Sequence, residues 1–98
     1  MTLSYAHGAF AEPLLGETIG ENFERTVRAH PDVEALVSCH QKIRYTYSEL
    51  AEAVDLLASG MLEAGLEKGD RIGIWSPNRA EWAIVQYATA KIGVILVN

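Results

Sequence analysis

Cysteine and basic residues are both scarce in this 98-residue sequence. Cys39 is the single cysteine, so the chain can form neither an internal disulfide nor a site with several cysteine ligands, which is typical of a reducing compartment. Eight Lys and Arg residues stand against thirteen Asp and Glu residues, which gives a formal charge of −5. Because this charge has the wrong sign for neutralising a phosphate backbone, we expect no nucleic-acid partner.

Long apolar runs are missing as well. The apolar run at residues 93–97 is far shorter than the roughly 20 residues that a membrane-spanning helix requires. No basic residue precedes Arg25, so the N-terminal stretch lacks the charged region of a secretory signal. We therefore expect no transmembrane segment and a cytoplasmic location.

The composition that remains is that of an ordinary globular protein. Hydrophobic residues make up 49% and charged residues 21%, which argues against disorder. Residues 1–17 show no clean hydrophobic period and contain Pro13, so they are predicted to form an irregular lead-in segment. The folded domain is expected to occupy residues 18–98, a length that suits one small domain or a piece of a larger one.

Two Thr-x-x-Glu motifs, at residues 18–21 and 46–49, have the spacing of a helix capping box. The first predicts a helix that ends before residues 30–31, His-Pro. The second predicts a helix that ends at Gly65, which can adopt the left-handed conformation. The expected buried stripe of this second helix has helical spacing and consists of Leu50, Val54, Leu57 and Met61.

Strand patterns occur in two parts of the sequence. Residues 34–39 and 43–46 are predicted to form an antiparallel hairpin around a polar turn. Residues 71–75 read as another strand, followed by a loop and by a helix through Ile92 that Asn78 is expected to cap. Residues 94–97 form a continuous apolar run, which is typical of a strand buried on both faces of a parallel sheet.

These elements predict an α/β fold with the order helix, β-hairpin, helix and βαβ unit. The crossover of such a unit is almost always right-handed. A sheet that stopped at residue 97 would lack elements to cover its far face. We therefore expect the N-terminal portion of a larger domain, and we call the longer polypeptide that would contain it the parent.

The sequence contains no recognisable catalytic constellation. Gly60 and Gly65 have the glycine spacing of a phosphate-binding loop, but residues 66–67, Leu-Glu, replace its Lys and hydroxyl. The three histidines, His7, His30 and His40, are scattered and show no nucleophile-base arrangement. We predict no catalytic, cofactor-binding or metal-binding residue in this chain.

The loop at residues 76–79, Ser-Pro-Asn-Arg, is the nearest candidate for a ligand site, because ligands of α/β sheets gather beyond the carboxyl ends of strands. Helix capping and turn formation explain Asn78 and Pro77 more simply, and Arg79 is expected to be solvated. Three aromatic residues could line an acyl or aromatic pocket, although strand and helix positions favour a core role: Trp75, Trp82 and Tyr87.

Several blocks of the sequence resemble the adenylate-forming superfamily, which includes acyl-CoA synthetases, luciferases and peptide-synthetase adenylation domains. The first blocks are residues 45–50, Tyr-Thr-Tyr-Ser-Glu-Leu, and residues 65–71, Gly-Leu-Glu-Lys-Gly-Asp-Arg. Residues 75–82, Trp-Ser-Pro-Asn-Arg-Ala-Glu-Trp, and residues 88–98 look most like medium- and long-chain fatty-acyl-CoA synthetases. The resemblance runs from about Thr18 to the last residue.

The resemblance implies that the parent joins a carboxylate to coenzyme A in two steps, through an acyl-adenylate formed from ATP. Magnesium accompanies the ATP, and the substrate is a fatty acid or another carboxylate; peripheral membrane association of the parent stays open. The family's working motifs are expected beyond Asn98, so this chain would be a catalytically incomplete, structural part whose main partner is the rest of the same polypeptide.

Two other interpretations remain open at this point. The chain could be a non-enzymatic interaction module that recruits a partner strand to an open sheet edge. It could also be a compact nucleotide-binding domain, which is the least favoured interpretation because the phosphate-binding loop is missing.

Overall fold

A computed structural model describes residue 8 and residues 15–98. The predicted lead-in segment therefore lies largely outside the described residues, and its boundary at residue 17 stays a prediction. The elements follow in the predicted α/β order, which is confirmed: α1 (Ile19–Ala29), β1 (Glu34–Ser38), β2 (Ile43–Thr46), α2 (Tyr47–Glu63), β3 (Arg71–Gly73), α3 (Ala80–Ile92) and β4 (Ile95–Val97).

Helices α1 and α2 begin at the two predicted capping boxes. The Thr18 hydroxyl accepts a hydrogen bond from the Glu21 backbone N–H, and the Glu21 carboxylate accepts one from the Thr18 N–H, both at 3.1 Å. Thr46 and Glu49 repeat the arrangement at 3.2 and 2.9 Å. Each box satisfies two backbone donors that a helix start would otherwise leave unpaired.

The end of α2 also follows the sequence-based expectation. Gly65 has a φ of 97°, and its N–H donates to the Leu62 carbonyl at 3.1 Å. The Leu66 N–H donates to the Met61 carbonyl at 3.1 Å, which completes a Schellman motif. Only glycine adopts this φ without a steric penalty, so Gly65 ends the helix at the predicted residue.

Strands β1 and β2 form the predicted antiparallel hairpin, with an irregular register between Glu34 and Leu36. Strand β1 ends at Ser38, one residue before its predicted end. In the turn, the Lys42 N–H donates to the Cys39 carbonyl at 3.2 Å, and Lys42 itself has a φ of 56°. A residue in this conformation closes a hairpin loop built on a tight turn.

Strands β3 and β4 pair in parallel, as predicted, with α3 between them in the chain. Both are shorter than expected, since they end at Gly73 and begin at Ile95. The expectation that β4 is buried on both faces is wrong for the described structure: Ile95 is 46% exposed and Val97 is 47% exposed. Helix α3 contacts one side of β4, and no other described element covers the opposite face of the strand pair.

The core lies between the three helices and the hairpin. In α2 the buried stripe passes through Ala58 instead of Leu57, which is half-buried and packs against the same cluster. Phe23 of α1 stacks on Tyr87 of α3 with ring centroids 4.5 Å apart. The buried cluster consists of Phe23, Leu50, Val54, Ala58, Met61 and Ala88.

Lys91 of α3 connects the other two helices at the edge of this core. Its ammonium group lies 2.7 Å from the Glu24 carboxylate of α1 and also bonds the Asp55 carboxylate of α2. These two hydrogen bonds, the one to Asp55 first, raise the pKa of Lys91 above its ordinary value. Because the pairs are largely exposed, they orient the helices and add only modestly to stability.

The capping box of α2 gives a direct stability prediction. We expect Thr46→Ala to lower the free energy of unfolding by about 0.5–2 kcal/mol, because the Glu49 N–H loses its acceptor. Chemical unfolding measures this change. Ser59→Ala, at an exposed position of the same helix, is the matched control and should stay within about 0.5 kcal/mol of the original protein. Equal effects of both substitutions would contradict the structural role of the cap.

Candidate functional site: the loop after strand β3

The candidate ligand site is the loop at residues 76–79, which joins the carboxyl end of β3 to α3. We call it the post-β3 loop. The backbone before it continues the parallel ladder, since the Ile74 N–H donates to the Val97 carbonyl at 2.9 Å. The loop thus emerges at the sheet edge where ligands of α/β proteins gather.

The body of the loop is tied to α3. The Trp82 indole Nε1–H donates to the Ser76 carbonyl oxygen at 3.0 Å. The Ser76 hydroxyl donates to the Pro77 carbonyl at 3.0 Å. The Ser76 side chain is therefore engaged in local backbone bonding, and Trp82 works as a loop anchor.

The expected cap of α3 is wrong, because the helix begins one residue later than the pattern predicts. Arg79 occupies the N-cap position and makes no side-chain capping bond. Asn78 thus lies outside the helix, and Glu81 is the second helical residue instead of the third, which removes the capping-box spacing. Asn78 is exposed at the surface of the loop.

Gln41, from the turn of the hairpin, takes over the capping role. Its Oε1 accepts a hydrogen bond from the Ala80 N–H at 2.8 Å and another from the Ser38 hydroxyl at 2.7 Å. Its Nε2 lies 3.3 and 3.2 Å from the two Glu81 carboxylate oxygens. No local pattern in the sequence indicates this contact, because the partners are 39 and 40 residues apart.

The first turn of α3 carries a carboxylate. The pKa of Glu81 lies below the ordinary glutamate value of 4.5, because its own backbone N–H, then Gln41 and finally Arg79 donate to the charged form. Arg79 is thus paired with Glu81, at 3.3 Å, instead of merely solvated. A carboxylate beside an already bonded Ala80 N–H is unfavourable for a phosphate, so this helix start gives no support to the nucleotide-binding interpretation.

The three candidate aromatic residues have different environments. Trp75 is fully exposed, so the core role expected for it is wrong. Ile72 and Ile74 are both partly buried, and Trp75 follows Ile74 by one residue, which turns its side chain to the opposite side. Trp82 is half-buried, and Tyr87 packs against the core through its stack on Phe23.

The remaining sequence candidates do not converge. Cys39 is exposed in the hairpin turn beside His40, and His30 caps the end of α1 through its backbone. His7 lies outside the described residues. Within residues 15–98, no group of three or more His, Cys, Asp or Glu side chains could hold a metal ion. The described helices include none that is long and apolar enough to cross a membrane.

Comparison with known proteins finds that most of this chain is similar to a short segment of acyl-CoA ligases. The model of the AMP-binding enzyme family matches residues 23–98. The medium-chain acyl-CoA ligase ACSF2 of Danio rerio, described as mitochondrial, is 45% identical over 97 residues, which are 99% of this chain and 16% of that protein. The putative acyl-CoA synthetase YngI of Bacillus subtilis is 44% identical over 87% of this chain and 16% of its own length.

Solved structures share the fold. The Klebsiella oxytoca NpsA N-terminal subdomain, in complex with 3-hydroxyanthranilyl-AMSN, superposes with a TM-score of 0.79 at 31% identity, over 93% of this chain and 22% of that one. A Mycobacterium tuberculosis fatty acyl CoA synthetase gives a TM-score of 0.78 at 26% identity, over 83% of this chain and 16% of that one. The fold is thus part of the N-terminal subdomain of adenylate-forming enzymes.

The chain belongs to the AMP-binding enzyme family. It spans about a sixth of the length of the curated relatives described here. The family resemblance derived from the sequence blocks is confirmed, and so is the predicted fold class.

The two tryptophans at this site allow a matched test of the loop anchor. We expect Trp82→Phe to lower the free energy of unfolding by about 1 kcal/mol, because the Ser76 carbonyl loses its donor. Trp75→Phe, at a fully exposed position, should have almost no effect on the unfolding of this chain. Chemical unfolding of both variants measures the difference. A decrease in the free energy of unfolding for Trp75→Phe alone would contradict the assigned environments.

Proposed function

We propose that the parent is an ATP-dependent fatty-acyl-CoA ligase and that this chain is a structural, catalytically incomplete part of it. Similarity across nearly the whole chain to medium-chain acyl-CoA ligases carries the proposal. In the two-step reaction, a carboxylate oxygen attacks the α-phosphorus of ATP and pyrophosphate leaves. The coenzyme A thiol then attacks the acyl carbon and releases AMP, which gives the thioester.

The chemistry explains the need for ATP, magnesium and coenzyme A in the parent. A carboxylate is a poor acyl donor until its oxygen becomes part of a good leaving group, and adenylation provides one. A magnesium ion would offset phosphate charge during that step. None of the described residues is assigned to these groups, and the catalytic machinery is proposed to lie in the remainder of the parent.

The contribution proposed for this chain is architectural. Among the described residues, strands β3 and β4 form a pair with two open edges, and parallel strands are normally buried within larger sheets. On the uncovered face, Gly73 leaves a flat surface beside the exposed side chains of Trp75, Ile95 and Val97. We assign this face and the two edges to packing against the remainder of the parent.

The cytoplasmic location stays a prediction. It is supported by the lone cysteine and by the absence of a membrane-spanning helix among the described residues. The ACSF2 relatives are described as mitochondrial, so the compartment of the parent needs a direct measurement.

A non-enzymatic interaction module is the second candidate function. The open edges of the β3–β4 pair favour it, because they present unpaired backbone groups to a partner strand. A discrete, saturable complex of the 98-residue chain with another protein in size-exclusion chromatography would support this candidate, whereas nonspecific self-association would support the incomplete-domain interpretation.

The ligase proposal predicts a contrast between the isolated chain and the parent. We expect the 98 residues alone to form no detectable thioester from ATP, a medium-chain fatty acid and coenzyme A, because the catalytic groups are absent. The parent should form AMP and acyl-CoA in equal amounts. Robust turnover by the isolated chain would refute the structural role, and an inactive, folded parent would refute the ligase assignment.

A further inference from the structure

One side chain of the hairpin turn, Gln41, hydrogen-bonds the first turn of α3, directly after the post-β3 loop. Among the hydrogen bonds of the described side chains, those that link the hairpin to α3 all involve Gln41. These elements are otherwise separated in the chain by α2 and β3. The start of α3 is therefore capped by a residue 39 positions away in the sequence.

The Gln41 amide is held in one orientation. Its oxygen accepts from Ser38 and from the Ala80 N–H, while its nitrogen donates toward both carboxylate oxygens of Glu81. Rotating the amide by half a turn would oppose its NH₂ group to the Ala80 N–H and its oxygen to the Glu81 carboxylate. The contacts to Ala80 and Glu81 thus depend on this one orientation of the side chain.

Ser38 also holds the Gln41 side chain in place. It is buried at the end of β1, and its hydroxyl bond to Gln41 satisfies a polar group that would otherwise be unpaired in the core. The Gln41 side chain is thus held by a hydrogen bond to a buried residue of β1. Arg79 provides no local side-chain cap, so the side chain that caps the first turn of α3 is Gln41.

We propose that Gln41 is a positioning residue for substrate binding in the parent, acting through the post-β3 loop. The inference rests on the proposed ligase function. The loop stands at the carboxyl end of a parallel strand, where ligands of α/β proteins bind, and Gln41 fixes its junction with α3. Gln41 itself touches neither substrate nor cofactor and takes no part in the chemical steps.

Different substitutions of Gln41 test its acceptor contact to Ala80 and its donor contacts to Glu81 separately. Gln41→Ala removes the acceptor contact and the donor contacts together. Gln41→Glu retains an acceptor for the Ala80 N–H but places a second carboxylate against Glu81. The double variant Gln41→Glu/Glu81→Gln restores a donor opposite an acceptor, with the charge exchanged between the two positions. Gln86→Ala is the control, because Gln86 is exposed on α3 and its side chain makes no hydrogen bond in the described part of the chain.

The experiment uses the full parent and measures kcat together with KM for ATP, decanoate and coenzyme A. We expect Gln41→Ala and Gln41→Glu to raise at least one KM by about threefold to tenfold, the range that corresponds to losing about one hydrogen bond. The kcat should change by less than about twofold. The double variant should recover most of the lost affinity, and Gln86→Ala should match the original enzyme.

A second measurement follows the loop directly. The indole N–H resonance of Trp82, assigned by its loss in Trp82→Phe, reports on the bond to the Ser76 carbonyl. We expect this resonance to move in Gln41→Glu and to return in the double variant. Unchanged KM values in both single variants, or an unmoved resonance, would overturn the positioning role. A parent without ligase activity would refute the proposed function instead, and the resonance would still decide whether Gln41 holds the loop.

Discussion

The packing of α2 against α3 is the contact on which the rest of the structure depends. Val54 of α2 and Ala88 of α3 are completely buried in the same cluster. Helix α3 also contacts α1, β1 and β4, so it connects the helical core to both strand pairs. At its crossing with α1, a Cβ on Gly20 would lie 3.4 Å from the Lys91 Cα, which shows how closely the helices approach. Small side chains at these contacts make that approach possible.

This arrangement separates a well-packed side from an open one. The helices bury their apolar faces against one another, whereas no element in residues 15–98 covers one face and the two edges of the β3–β4 pair. Membership of the AMP-binding enzyme family offers an explanation for the open side, because the relatives are about six times longer than this chain and contain further residues that could cover it. The proposed function of the chain is accordingly structural: its open face and edges pack against the rest of the larger domain.

Local signals in the sequence predicted the features that depend on neighbouring residues. The capping boxes at Thr18 and Thr46 and the helix end at Gly65 follow from hydrogen bonds within a few residues, so short motifs suffice. The prediction that Asn78 caps α3 failed because Gln41, which belongs to the hairpin turn, provides the cap. The prediction that Trp75 is buried failed for a related reason: Trp75 lies beyond the end of β3, and its burial depends on what covers that end of the sheet, which the local sequence does not reveal.

The intact mass of the natural polypeptide that contains this sequence tests the central claim most directly. The account predicts a protein about six times heavier than 10.7 kDa, since the aligned segment covers 16% of the ACSF2 relative. Such a mass would agree with a structural segment inside an acyl-CoA ligase. A natural polypeptide of about 10.7 kDa would contradict the account, because the open sheet would then belong to a small protein without the ligase machinery.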